Sequence, residues 1–152
     1  MENQNFVTKN SEETKALAKK LALHLRRGDV IGLRGELGSG KTTFVQGLSE
    51  GLHILEGYRA LSPTFTLINE YPCHSISLFH MDFYRLEKEA EVETLGFDSY
   101  FGVGVCVIEW FEKAPQVLPL DFLEIQFQWI SESVREICFV SHGDRSQKIL
   151  NL

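Results

Sequence analysis

Gly35-Glu36-Leu37-Gly38-Ser39-Gly40-Lys41-Thr42 satisfies the pattern GxxxxGK[ST] at every required position. Each required residue type has a physical reason. Glycines let the chain turn back tightly with several N–H groups aimed inward. Those donors, with the start of a following helix, form a site for phosphate oxygens. Lys41 adds a full positive charge for the β- and γ-phosphates, and a hydroxyl at Thr42 suits Mg²⁺. The chemistry indicated is binding of a nucleoside triphosphate with Mg²⁺. No NKxD-type guanine-reading motif occurs, so ATP is the expected nucleotide.

Such a site needs a carboxylate near the metal, and it usually ends an apolar strand beside the loop. Glu109 ends Val105-Cys106-Val107-Ile108, and Asp82 ends Ser77-Leu78-Phe79-His80-Met81. One acid would bind metal and the other orient the attacking water, and spacing does not sort the roles. Ser62-Pro63-Thr64-Phe65-Thr66 is either a turn feeding a strand or a switch in which Thr64 senses the γ-phosphate. Arg85 and Arg135 are the candidates for an arginine finger. Trp110 and Tyr84, each taken alone, read as core aromatics.

The elements around these residues fit the same purpose. An apolar strand over 29–34 precedes the loop, and a helix pattern over 41–52 follows it. Upstream, a short edge strand over 5–8 leads to a helix capped by Ser11, with Glu12 and Glu13 in its first turn. Arg26 and Arg27 lie in its last turn, and Gly28 ends it. Leu17, Leu21 and Leu25, flanked by Ala18 and Ala22, mark its buried face. Residues 65–71 and 75–82 predict one hairpin, and 121–129 and 135–142 a second. An acidic helix is expected over 87–95, a central buried strand over 103–108, and a loose tail from Gly143. The predicted architecture is α/β: a P-loop NTPase-like mixed sheet of about seven strands with a parallel centre, antiparallel edge hairpins and few helices.

Composition narrows the function classes. The 152 residues suit one domain, and 43% apolar with 24% charged residues is ordinary for a globular protein. The N-terminus has no basic start followed by an apolar run, and no stretch reaches the roughly 20 apolar residues that span a bilayer. A cytoplasmic location without membrane attachment is expected. Cys73, Cys106 and Cys138 form no CxxC pair and read as buried free thiols on strands, and the five histidines suggest no zinc site. A net charge of -6 with one short basic cluster is unsuited to tight RNA or DNA binding, so any role on nucleic acid would run through a partner.

Four segments taken together carry a more specific signal. GELGSGKTT (35–43), SPTFTL (62–67), HMDFYRL (80–86) and Ile108-Glu109-Trp110 occur in this order and at these spacings. The set closely resembles the TsaE (formerly YjeE) family of bacterial P-loop ATPases required for threonylcarbamoyladenosine formation on tRNA, and the likeness extends over nearly the whole chain. The resemblance implies a P-loop sheet with antiparallel additions. It also implies ATP hydrolysis that resets a pair of partner proteins resembling TsaB and TsaD, which carry out the modification, so that tRNA is met only through them. By the same resemblance, Thr42 and Glu109 hold Mg²⁺, Thr64 and Asp82 serve the nucleotide response and hydrolysis, and nucleotide contacts lie near Ser11 and Ser133, with Thr43 beside the loop. Ser39 stands where family members often have Ala, a small-for-small exchange. The connection Phe101-Gly102-Val103-Gly104 lacks polar residues.

An accessory ATPase in tRNA modification is therefore the leading reading. A small-molecule or protein kinase built on the same loop is the alternative, and a nucleotide-gated binding module with negligible turnover is a third. They differ in where the γ-phosphate goes, and whether it goes at all.

Overall fold

The computed structural model describes residues 1–63, 67–87, 91 and 96–151. Seven strands form one sheet in the order β1-β7-β6-β2-β5-β4-β3. The strands are β1 (Asn3–Thr8), β2 (Val30–Arg34), β3 (Ile68–Pro72), β4 (Ser77–Asp82), β5 (Val105–Glu109), β6 (Leu123–Trp129) and β7 (Arg135–Ser141). The central four, β6-β2-β5-β4, are parallel. Both edges are antiparallel: β3 folds against β4, β7 against β6, and β1 against β7. The expected mixed sheet and both hairpins are present.

Alternation along the central strands explains the layering. Ile31 and Leu33 of β2, Val105 and Val107 of β5, and Leu78 of β4 join one buried cluster with helices α1 (Ser11–Ala22) and α2 (Lys41–Gly51). Their neighbours Val30, Cys106, Ile108, Phe79 and Met81 join a second cluster beneath Phe83, Phe97 and Phe111. A strand covered on both faces must be apolar throughout, which is why β2 and β5 read as continuous apolar runs. Gly32 is one exception in β2: a Cβ there would come within 2.7 Å of the Phe111 ring. Helices α1 and α2 pack closely through small residues, with Gly47 and Gly51 of α2 lying against Ala18 and Ala22 of α1.

Three expectations are corrected. The cap of α1 is Asn10, whose Oδ1 accepts from the Glu13 N–H at 2.8 Å, so Ser11 is the first helical residue. The helix ends at Ala22 rather than near Gly28, so Arg26 and Arg27 lie beyond it. Asp29 Oδ2 accepts the Arg26 N–H at 2.8 Å, a side-chain bond that competes with helix continuation. Finally, the tail is not loose: Asp144–Ile149 form helix α3. Asp121 accepts the N–H groups of Arg145 and Ser146, Arg145 pairs with buried Asp29 at 2.8 Å, and Ile149 and Leu150 are buried. The acidic helix expected over 87–95 lies mostly outside the described residues. Cys73 and Cys106 are buried free thiols and Cys138 is half-buried. Burial pushes the Cys106 thiol up to about 12 and Cys73 to about 11. Among the described residues no helix is long and apolar enough to cross a membrane.

Candidate nucleotide site

The parallel strands β2, β4, β5 and β6 all end at one edge of the sheet, where ligands of open α/β folds bind. The turn after β2 is the glycine loop. Gly38 (φ +78°) and Gly40 (φ +108°) occupy left-handed conformations that favour glycine. A Cβ on Gly35 would lie 2.7 Å from Ser39 Oγ. The Glu36 carbonyl accepts the Ser39 N–H at 3.1 Å and closes the turn. Gly40 then precedes α2, whose N-terminus faces the edge with its first-turn N–H groups free of a side-chain cap. Leu37, at the loop tip, is exposed.

Lys41 is buried, with only 5% of its surface exposed. Its ammonium donates to the Gly35 carbonyl at 2.7 Å, stands 3.9 Å from Glu109 Oε1, and lies 4.5 Å from the centroid of the Trp110 ring. The charge is thus compensated while remaining at the cavity. Asp82 and Glu109 are register partners at the ends of β4 and β5 and both are buried. Asp82 Oδ1 accepts the Tyr84 N–H at 2.8 Å. Glu109 Oε2 is 2.6 Å from His80 Nε2.

These groups line a cavity of about 390 Å³, shared by Gly38, Gly40, Lys41, Thr42, Thr43, Asp82 and Glu109. Leu37, Ser62, Tyr84, Trp110 and Arg135 complete its wall. Tyr84 and Trp110 both line the cavity, with ring centroids 5.1 Å apart; Tyr84 is exposed rather than a core aromatic, while Trp110 also packs against the second cluster. Trp110 takes φ +58°, unusual for a bulky residue, and this turns the chain sharply after Glu109. Thr64 lies outside the described residues.

A second cavity of about 280 Å³ adjoins the first through Gly40, Thr43 and Arg135, and Asn10, Ser11, Thr14, Glu132 and Ser133 line the rest. Ser11 and Ser133, distant in sequence, thus meet beside the loop. Arg135 separates the two cavities. Its Nε donates to Ser39 O at 3.1 Å and Nη2 to Gly38 O at 3.2 Å, while Nη1 donates to Ser131 O at 2.6 Å and Val134 O at 3.1 Å. It is a clamp on backbone carbonyls, a role the sequence did not suggest. His80 stood in the HMDFYRL segment but was given no role of its own. The spacing His80-x-Asp82 was the available signal, because two residues apart on a strand means one face.

Comparison with known proteins agrees with this geometry. Residues 8–137 match the family model described as "Threonylcarbamoyl adenosine biosynthesis protein TsaE". The chain is 44% identical over 150 residues to the tRNA threonylcarbamoyladenosine biosynthesis protein TsaE of Bacillus subtilis, covering 98% of this chain and 92% of that protein. The protein of the same name from Aquifex aeolicus is 34% identical over 134 residues, 88% of this chain and 93% of its own. The crystal structure of Bacillus subtilis YdiB superposes with a TM-score of 0.82 at 39% identity, covering 98% of this chain and 92% of that one. A loop, two strand-end acids and a family match spanning nearly every element agree, and the chain belongs to the TsaE family of threonylcarbamoyl adenosine biosynthesis proteins.

Proposed function

We propose that the protein is a cytoplasmic Mg²⁺-dependent ATPase that serves threonylcarbamoyladenosine formation on tRNA. It would act through partners similar to TsaB and TsaD, with hydrolysis resetting that pair between cycles. The observation that carries the proposal is the meeting of Lys41, Asp82 and Glu109 around one cavity at the glycine loop. The loop suits phosphates on two further grounds. Ser39 Oγ is buried without a hydrogen-bond partner among the described residues, and the left-handed Gly38 and Gly40 line the cavity in a backbone conformation that suits anion-binding loops.

The residues also fit a magnesium ion. Among the described residues no group of three or more His, Cys, Asp or Glu could cage a metal. Mg²⁺ at nucleotide sites needs no such cage, because one or two protein ligands suffice beside phosphate oxygens and water. Thr42 and Glu109 would hold it. When bound, the ion neutralises charge on the phosphates and opens the terminal phosphoryl group to attack. Lys41 would bind and neutralise the same oxygens. Asp82 would orient the attacking water and receive its proton. The Ser11–Ser133 cavity would take the adenosine end. A net charge of -6 suits a protein that meets tRNA only through partners.

The test is to follow labelled γ-phosphate with purified protein, alone and with TsaB- and TsaD-like partners. Free phosphate, released faster with partners and absent for Lys41→Ala, is the expected result. Label transferred to a metabolite or protein side chain would instead establish a kinase.

A further inference from the structure

His80 interrupts the apolar run Leu78-Phe79 and Met81 of β4, and no solvent reaches it. Its Nε2 meets Glu109 Oε2 at 2.6 Å. Its other ring nitrogen, Nδ1, is buried without a hydrogen-bond partner among the described residues. An unpartnered buried nitrogen is unfavourable, and an apolar side chain would avoid it. The imidazole therefore opposes packing stability, and among the described residues the polar group it serves is the Glu109 carboxylate.

The surrounding geometry says what that service is. Glu109 and Lys41 are both 4% to 5% exposed and carry opposite charges in a poorly hydrated site. Such a pair normally closes to a charge-assisted bond of about 2.8 Å. Here Glu109 Oε1 stands 3.9 Å from Lys41 Nζ. Oε2 is held by His80, which sits diagonally across the strand pair: its register partner on β5 is Val107, two residues before Glu109. The Tyr71 ring, 6.4 Å away between centroids, backs the imidazole from β3. The bond to His80 restrains the carboxylate from collapsing onto the lysine and leaves Oε1 as its second oxygen, beside Lys41 in the wall of the cavity.

We propose that His80 is a positioning residue that donates from Nε2 to Glu109 and holds its free oxygen ready for the metal ion. This rests on the reading of Glu109 as a Mg²⁺ ligand. The test replaces His80 with two polar residues of differing reach. Glutamine places an amide N–H near the Nε2 position, whereas asparagine mimics only Nδ1. For the wild type, His80→Gln, His80→Asn and Glu109→Ala, the Mg²⁺ midpoint is measured at fixed ADP by calorimetry, together with the urea midpoint of folding. Loss of a ligand's orienting partner typically weakens metal binding by about 10- to 100-fold, so His80→Asn should raise the Mg²⁺ midpoint at least about tenfold. His80→Gln should stay within about threefold, at a similar urea midpoint. The proposal is overturned if the two substitutions raise the midpoint equally, or if His80→Asn leaves it unchanged while Glu109→Ala raises it. An unchanged midpoint in Glu109→Ala would overturn the ligand reading itself, and the inference with it.

Discussion

Arg135 offers a sharp test of how the phosphate loop is held. Its guanidinium ties two segments together: the loop carbonyls of Gly38 and Ser39, and the 131–134 turn. In Arg135→Ala the loop loses two charged donors. A hydrogen bond from a charged group contributes about 1.5–3 kcal/mol net. The Gly38 bond is exposed, so water replaces much of it, and the Ser39 bond at 3.1 Å is the larger loss. The effective change is about 2 kcal/mol in keeping the loop in binding order, or roughly 30-fold in nucleotide affinity at 1.4 kcal/mol per tenfold. ADP titrations with Mg²⁺, read by calorimetry or by Trp110 fluorescence, would measure it. Arg135→Lys should fall between, because an ammonium lacks the planar fork that reaches both segments. Affinity within about twofold of wild type would refute the clamp. So would unchanged affinity with phosphate release lowered about 1000-fold, because that is the signature of an arginine finger acting on the transition state.

Asp82→Asn keeps an oxygen to accept the Tyr84 N–H and removes the base. Phosphate release should fall at least about 100-fold while ADP affinity stays within about threefold. Gly47→Val should lower the urea midpoint by the equivalent of about 2–3 kcal/mol, because even its Cβ would stand 2.7 Å from the Lys15 carbonyl oxygen of α1. At Asp121, burial raises the carboxyl pKa, but the N–H groups of Arg145 and Ser146 outweigh it and hold the group below its ordinary 3.8. A depressed folded value means stability present above that ordinary value and lost as pH falls through the folded one. Wild-type melting temperature should therefore drop on acidification below about pH 4, and Asp121→Asn should start lower and show a shallower drop.

The turn from Gly35 to Gly40 was legible because its glycines are dictated by local geometry and sit between a strand and a helix that show their own periods. The strand-end acids were legible for a similar reason, since a carboxylate closing an apolar run has few places to go. The misses concern side-chain partners that apolar periodicity does not register. Helix α1 runs no further than Ala22 although leucine spacing continues to Leu25, because Asp29 takes the Arg26 N–H. Helix α3 has six residues, too few for a periodic signal, and depends on Asp121 and Asp29 from elsewhere in the fold. Tyr84 and Trp110 each look like core residues until both are placed at the ends of neighbouring strands.

The division of labour within the sheet follows from strand direction. The parallel strands β2, β5 and β4 bring the loop, Glu109 and Asp82 to one edge, where they line the first cavity. The second cavity takes Gly40 and Thr43 from this part of the chain. The rest of its wall comes from α1 and the antiparallel additions. Because β7 runs against β6, it begins where β6 ends, and Arg135 pairs with Trp129 at the site edge. Because β1 runs against β7, it ends at that edge, with Thr8 opposite Arg135. The chain then enters α1 through Asn10 and Ser11, which face Ser133 across the second cavity. Arg135 sits where the two contributions meet, bonded to the loop on one side and to the 131–134 turn on the other. A change in the second cavity can therefore reach the glycine loop through this side chain. On the proposed reading, the strands added at the sheet's edge make nucleotide binding a property of the whole chain rather than of the loop alone.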